Sequence, residues 1–154
     1  MRYLPVIAIV VLAWSAFALA EPPRKPSAER TAEHCDDGTQ VEAEECFASA
    51  AVKSRGEVDR EFERDLRNAA AFDASVRADP VMASHPMVGF GLSLTEDLKV
   101  SQAAWVKYSN AQCMFEGRTS LGGSGTDILK AACHNRQNLS RLTELRAADK
   151  LARR

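Results

Sequence analysis

The sequence predicts an all-α fold: a small, disulfide-stapled helical bundle of three to four helices. Three observations carry that prediction. Apolar residues recur at three- and four-residue spacing in three long segments, and no segment shows the strict apolar-polar alternation of a half-buried strand. Two Ser/Thr-x-x-Glu signatures, Thr39 with Glu42 and Ser93 with Glu96, mark helix starts, where side chain and backbone N–H groups satisfy one another reciprocally. Four cysteines, an even number, all lie beyond residue 34.

The chain opens on a segment read as a secretory signal peptide, residues 1–20. Arg2 precedes an apolar run from Leu4 to Phe17, and the small-residue ending Ala18-Leu19-Ala20 supplies a cleavage site. The run is shorter than the roughly 20 residues of a membrane span, and a charged, Pro-rich stretch from Glu21 to Pro26 follows at once. The first cysteine is Cys35, so no lipidation site follows the cleavage point. A soluble product, periplasmic or secreted and with no membrane association after cleavage, is the expectation. It carries 19 basic and 21 acidic residues, a net charge of −2. That balance gives no support to nucleic-acid binding, which needs clustered cations.

Residues 21–34 lack apolar periodicity and read as a disordered arm. A single domain, 35–154, follows. Its first helix begins near Gln40, after the turn residues Asp36-Asp37-Gly38 and the Thr39 cap. The buried stripe runs Val58, Phe62, Leu66, Ala69, Phe72 or Asp73, Val76, and Asp79-Pro80 ends the helix because the residue before proline is pushed out of the α region. Such a helix is about 58 Å long at about 1.5 Å per residue, longer than its partners, so a kink or break is expected near Gly56.

From Asp79 to Leu92 the chain carries Pro80, Pro86, Gly89 and Gly91 among Val81, Met82, Met87, Val88 and Phe90. It reads as a loop too apolar to be fully solvated: either a lid over the bundle or an exposed loop whose Met87 and Phe90 meet a partner. The second helix follows Ser93. Its stripe is Leu94, Leu98, Ser101 or Gln102, Trp105, Tyr108 or Ser109, Gln112, with Trp105 and Tyr108 expected in the core. Glu116-Gly117 ends it, and Leu121 to Gly125 is a Gly-rich connection. No strand precedes this loop and no Lys-Ser/Thr follows it, so it is no phosphate cradle. Thr126 or Asp127 caps the last helix, whose stripe is Ile128, Ala132, Asn135, Leu139, Leu142, Leu145 and Ala148.

In an oxidising compartment four cysteines form two bridges, with three connectivities open. Loop-closure entropy favours near neighbours, Cys35 with Cys46 and Cys113 with Cys133. The rival is a metal site, since His34 adjoins Cys35 and His134 adjoins Cys133, but adjacent ligands seldom converge on one ion and the C-x-x-C spacing of structural zinc is absent. No metal and no cofactor is expected, and His85 reads as an incidental surface residue. Glu57, Asp59, Glu61, Glu63 and Asp65 alternate with Arg55, Arg60 and Arg64, the pattern of solvated ion pairs on an outward face. No nucleophile elbow occurs, and two bridges leave no free thiol, so the chain is not expected to be an enzyme and has no expected catalytic residue.

Charge is unevenly spread: residues 29–65 are net −7 and residues 126–154 net +4. Either the first and last helices lie side by side with complementary fields, or an acidic pole faces solvent and steers a basic partner.

Cys35 and Cys46, then Gln102, Trp105, Tyr108 and Cys113, then Cys133, Arg141 and Leu145 together resemble the lysozyme-inhibitor LprI-like family. That family runs a cysteine pair, a helix, Q-x-x-W-x-x-Y…C and C…R-x-x-x-L, and the match covers about residues 35–148. The chain departs from it at Ser109, where a basic residue is usual, and in its apolar loop, which is longer. The resemblance implies an exported binding protein that inhibits lysozyme by occlusion, its partner a protein such as lysozyme. An envelope interaction or scaffold module with another client is the alternative. Gln102, Tyr108 and Arg141 equally suit internal polar ties. The expected partner surface comprises Glu57, Glu61 and Asp65 on the first helix with Met87 and Phe90 in the loop.

Overall fold

The computed structural model describes residue 32, residues 34–86, residue 91, residues 93–123 and residues 125–152, without the side chains of the last four. The signal peptide, nearly all of the arm, Met87 and Phe90 lie outside the described residues. Helix α1 spans Gln40–Ala78, α2 Pro80–Ala83, α3 Leu94–Arg118 and α4 Gly125–Ala152. No strand occurs among the described residues, and no described helix is long and apolar enough to cross a membrane.

Helix α1 starts on the capping box expected from its sequence. The Thr39 backbone N–H donates to Glu42 Oε2 at 2.8 Å, and Glu42 N–H donates to Thr39 Oγ1 at 3.4 Å. Hydrogen bonds from the Thr39 backbone and hydroxyl hold the Glu42 carboxyl below its ordinary pKa. The helix then continues for 39 residues without the break expected near Gly56. A helical glycine costs only about 1 kcal/mol relative to alanine, and α4 lies along α1 through this region, so packing overrides local propensity. A Cβ at Gly56 meets only Arg60 Nη1, at 3.5 Å, so no close approach demands glycine there either.

The segment after α1 is not all loop. Asp79 Oδ1 accepts from Val81 N–H at 2.8 Å and Met82 N–H at 3.3 Å, and Pro80 occupies the first helical position, which together wind the four-residue α2. Val81 is 78% exposed and Met82 43%, so neither seals the bundle.

Helix α3 opens on half of the capping box its sequence suggested. Ser93 Oγ accepts from Glu96 N–H at 3.3 Å, but the Glu96 carboxylate turns away to Lys99 at 2.7 Å. The free N–H groups are met by another helix. Asp73 of α1 accepts from Ser93 Oγ at 2.9 Å, Leu94 N–H at 3.0 Å and Thr95 N–H at 3.1 Å. Burial raises this carboxyl's pKa, but the hydrogen bonds from Thr95, Ser93 and Leu94 outweigh it and bring the pKa from 3.8 to about 2.

Cross-helix contacts fix the directions. Ser54 faces Asn138 and Glu61 faces Arg146, so α1 and α4 run parallel. Gln102 faces Arg141 and Cys113 is bonded to Cys133, so α3 runs against α4. The result is an up-down-up bundle in which α4 packs most extensively on α1, then on α3, while α1 and α3 touch least. The apolar centre is small: Val58, Leu142 and Leu145, with Phe62, Leu98, Trp105 and Leu139 packed around them. Ser54, Glu61, Asp65, Asp73, Gln102, Ser109, Asn135, Asn138 and Arg141 are also buried, as many polar residues as apolar ones among those described. A core of that composition depends on satisfied hydrogen bonds and on covalent ties.

Those ties are the near-neighbour bridges. Cys35–Cys46 pins the chain entry to α1 across a separation of 11 residues, and Cys113–Cys133 clips α3 to α4 across 20. No cysteine is free.

Candidate partner-binding surface

The motif residues of α3 and α4 meet inside the bundle. Arg141, 7% exposed, donates from Nε to Gln102 Oε1 at 3.0 Å, from Nη2 to Ser101 Oγ at 3.1 Å and from Nη1 to Glu144 at 2.9 Å. Its guanidinium also lies over the Trp105 ring, 5.9 Å from the centroid, and Arg55 of α1 approaches the same ring at 5.6 Å. Trp105 is therefore half-buried between two cations and against the apolar centre. Gln102 and Arg141 are polar ties between helices, and Leu145 is core at 2% exposure.

Tyr108 is a correction. Expected beside Trp105 in the core, it is 58% exposed, and Ser109 is buried in its place at 3%. The inward line of α3 is Leu98, Gln102, Trp105, Ser109, Cys113, in steps of four, three, four and four residues that turn Tyr108 outward.

The acidic stretch is corrected in the opposite direction. Glu61 and Asp65 were expected on a solvated face, yet they are 9% and 8% exposed. Glu61 is bonded to Arg64 and approaches Arg146 of α4 at 3.9 Å; Asp65 lies 3.5 Å from Arg64. With α4 beside α1 at Ser54 and Glu61, and the start of α3 against Asp73, the buried arc of α1 takes in 58, 61, 65, 69 and 73, leaving Phe62 and Leu66 at its edge. Both charge readings of the sequence thus hold a part: Glu61 complements α4, while Glu44, Glu45, Asp59 and Glu63 stay exposed. Glu57 is half-buried.

A groove of 350 Å³ opens between α1 and α3, walled by Ala51, Val52, Arg55 and Val106, with Ser109 and His134 deeper in. Burial, with the nearby Arg55 cation, lowers the His134 pKa and so favours the neutral ring. Among the described residues no three His, Cys, Asp or Glu side chains converge as a metal site would require.

The two stems of the α3–α4 connection are braced. Arg136 donates to Glu116 at 2.6 Å, and bonds from Gln112 and then Arg136 lower the Glu116 pKa. Gly117 is buried against α4: a Cβ there would lie 2.6 Å from Lys130 Cγ and 3.2 Å from the Thr126 carbonyl oxygen. At the apex Leu121 has φ 55° and is 94% exposed. From its composition alone this loop is only a flexible, Gly-rich connection. The signal available was a single leucine among glycines and hydroxyl residues.

No curated protein and no solved structure matches the chain. The family model described as lysozyme inhibitor LprI matches residues 31–145, a span that holds both disulfides, the Trp105 segment and the Arg141 tie. By that match over most of its length, the chain belongs to the LprI lysozyme inhibitor family.

Proposed function

We propose that this protein is an exported binding module that inhibits a lysozyme-type muramidase by blocking its active-site cleft, with no chemistry of its own. The observation that carries the reading is the family match over residues 31–145. The physical case is supporting. Two disulfides suit an oxidising compartment, periplasmic or extracellular, and the folding unit runs from Cys35 to the end of α4. Lysozymes are commonly basic, and the exposed acids Glu44, Glu45, Asp59 and Glu63 of α1 would steer such a partner. Glu57, at the edge of that face, and the Met87 and Phe90 side chains of the loop before α3 are retained as contacts within the proposal.

The test adds purified mature protein to a lysozyme turbidity assay and measures direct binding at two salt concentrations. Inhibition with an association rate that falls as salt rises is expected. Absence of both inhibition and binding at tens of micromolar ends the reading. A second reading, an envelope interaction module with another client, draws on the outward line Val100, Tyr108 and Phe115 of α3, exposed by 67%, 58% and 67%. It gains ground if lysozyme is not bound.

A further inference from the structure

We propose that the α3–α4 loop, Thr119 to Gly123 with Leu121 at its tip, is the wedge that enters the carboxylate-lined cleft of the muramidase. The inference rests on the inhibitory reading above and names the element that does the blocking.

Leu121 is the first reason. At 94% exposure it is the most exposed large apolar side chain among the described residues, and its φ of 55° is a left-handed conformation that disfavours a side chain with a Cβ. A leucine so placed contributes nothing to the core and strains the backbone. Exposed, strained apolar residues on an otherwise well-tied loop are found where a partner supplies the missing contacts.

Rigidity is the second. The Leu121 N–H donates to the Arg118 carbonyl at 3.0 Å and the Gly123 N–H to the Ser120 carbonyl at 3.1 Å, while Ser120 Oγ and Thr126 Oγ1 lie 2.6 Å apart across the base. Below them stand the Gly117–Lys130 contact and the Cys113–Cys133 bridge. A loop held in its bound shape loses little conformational freedom on docking.

Charge is the third. Glycosidases place a pair of Asp or Glu side chains across the scissile bond, so a wedge must carry no acid. From Gly117 to Thr126 the sequence contains Arg118 and no acidic residue. The surroundings have the opposite sign. Ser54 lies fourteen residues into α1 and its partner Asn138 thirteen into α4, so the two parallel helices begin level with one another. Exposed Asp36, Asp37, Glu44 and Glu45 at the start of α1 therefore sit at the same end of the bundle as the loop. An acid-free wedge beside an acidic collar complements an acidic cleft set in a basic surface.

The experiment uses the mature protein, a c-type lysozyme and Leu121→Glu, with tri-N-acetylchitotriose as a competitor for the cleft. Leu121→Glu is expected to raise the inhibition constant at least tenfold with an unchanged melting midpoint, and the trisaccharide is expected to displace wild type. Leu121→Gly, which relieves the positive φ, should melt no lower than wild type and still inhibit more weakly. Phe72→Glu places the same charge on another exposed apolar site, about 48 Å along α1 at about 1.5 Å per residue from the end that carries the loop, and should inhibit like wild type. Wild-type potency in both Leu121 variants, or binding indifferent to the trisaccharide, overturns the wedge alone. A wild-type protein that neither binds nor inhibits lysozyme overturns the inhibitory reading and the wedge with it.

Discussion

Replacing Asp73 by asparagine tests whether one carboxylate joins α1 to α3. Its two oxygens accept from Ser93 Oγ, Leu94 N–H and Thr95 N–H, and the side chain is 8% exposed. Asparagine has a single acceptor oxygen, so Asp73→Asn leaves at least one donor unmet and removes a negative charge from a helix N-terminus. An unmet buried donor costs about 1–3 kcal/mol and the lost charge about 0.3–1 kcal/mol, so a loss of about 2 kcal/mol at neutral pH is expected. The acid limb gives an independent figure. The folded-state pKa is about 2 against an ordinary 3.8, a difference worth about 2 kcal/mol before solvent screening and about 1–2 kcal/mol after it. Because the folded pKa is depressed, this stability is present above about pH 4 and is lost as pH falls from about 4 to about 2. Urea denaturation of wild type and Asp73→Asn at half-unit steps from pH 2 to 6 separates the terms. The two curves should converge at the acid end. Equal acid limbs in both proteins would refute the assignment of this stability to Asp73.

Three further outcomes are expected. Arg141→Ala should lose about 3 kcal/mol in urea denaturation, because Gln102 and Ser101 lose their buried donor, and the emission of Trp105 should shift as a cation leaves its ring; Arg141→Lys should recover less than half, since an ammonium cannot reproduce the fork. Under native reducing conditions Cys35–Cys46 should open first, because Cys46 is half-exposed while Cys113 and Cys133 are both 0% exposed, an order that mass mapping of alkylated thiols resolves. Removing Cys113–Cys133 by paired serine substitution should cost about 3 kcal/mol, and removing Cys35–Cys46 slightly less, as their separations of 20 and 11 residues imply.

Much of the fold could be read from local signals. Thr39 with Glu42 fixed the start of α1, Asp79-Pro80 its end, and the spacing of the cysteines the two bridges, because caps, proline sterics and short-loop closure act over a few residues. The family resemblance rested on side chains that proved structural: Gln102, Trp105, Arg141 and Leu145 hold helices together. What a helix faces is another matter. Glu61 looks like a surface residue in any local window, and α4, by lying along α1 and presenting Arg146, brings it inside. Gly56 looks like a break until a neighbouring helix supports it. Tyr108 and Ser109 are adjacent in sequence, and the azimuth at which α3 meets α4 selects which one is buried.

By itself, then, the sequence determined the three long helices, their ends, the disulfide pairing and the family, all consequences of short-range chemistry. The tertiary structure decided the direction in which charges point, the use of Asp73 as a cap twenty residues away, and the projection of Leu121 from a braced loop. These follow from how three helices share one small core, an arrangement set by packing between segments far apart in the chain.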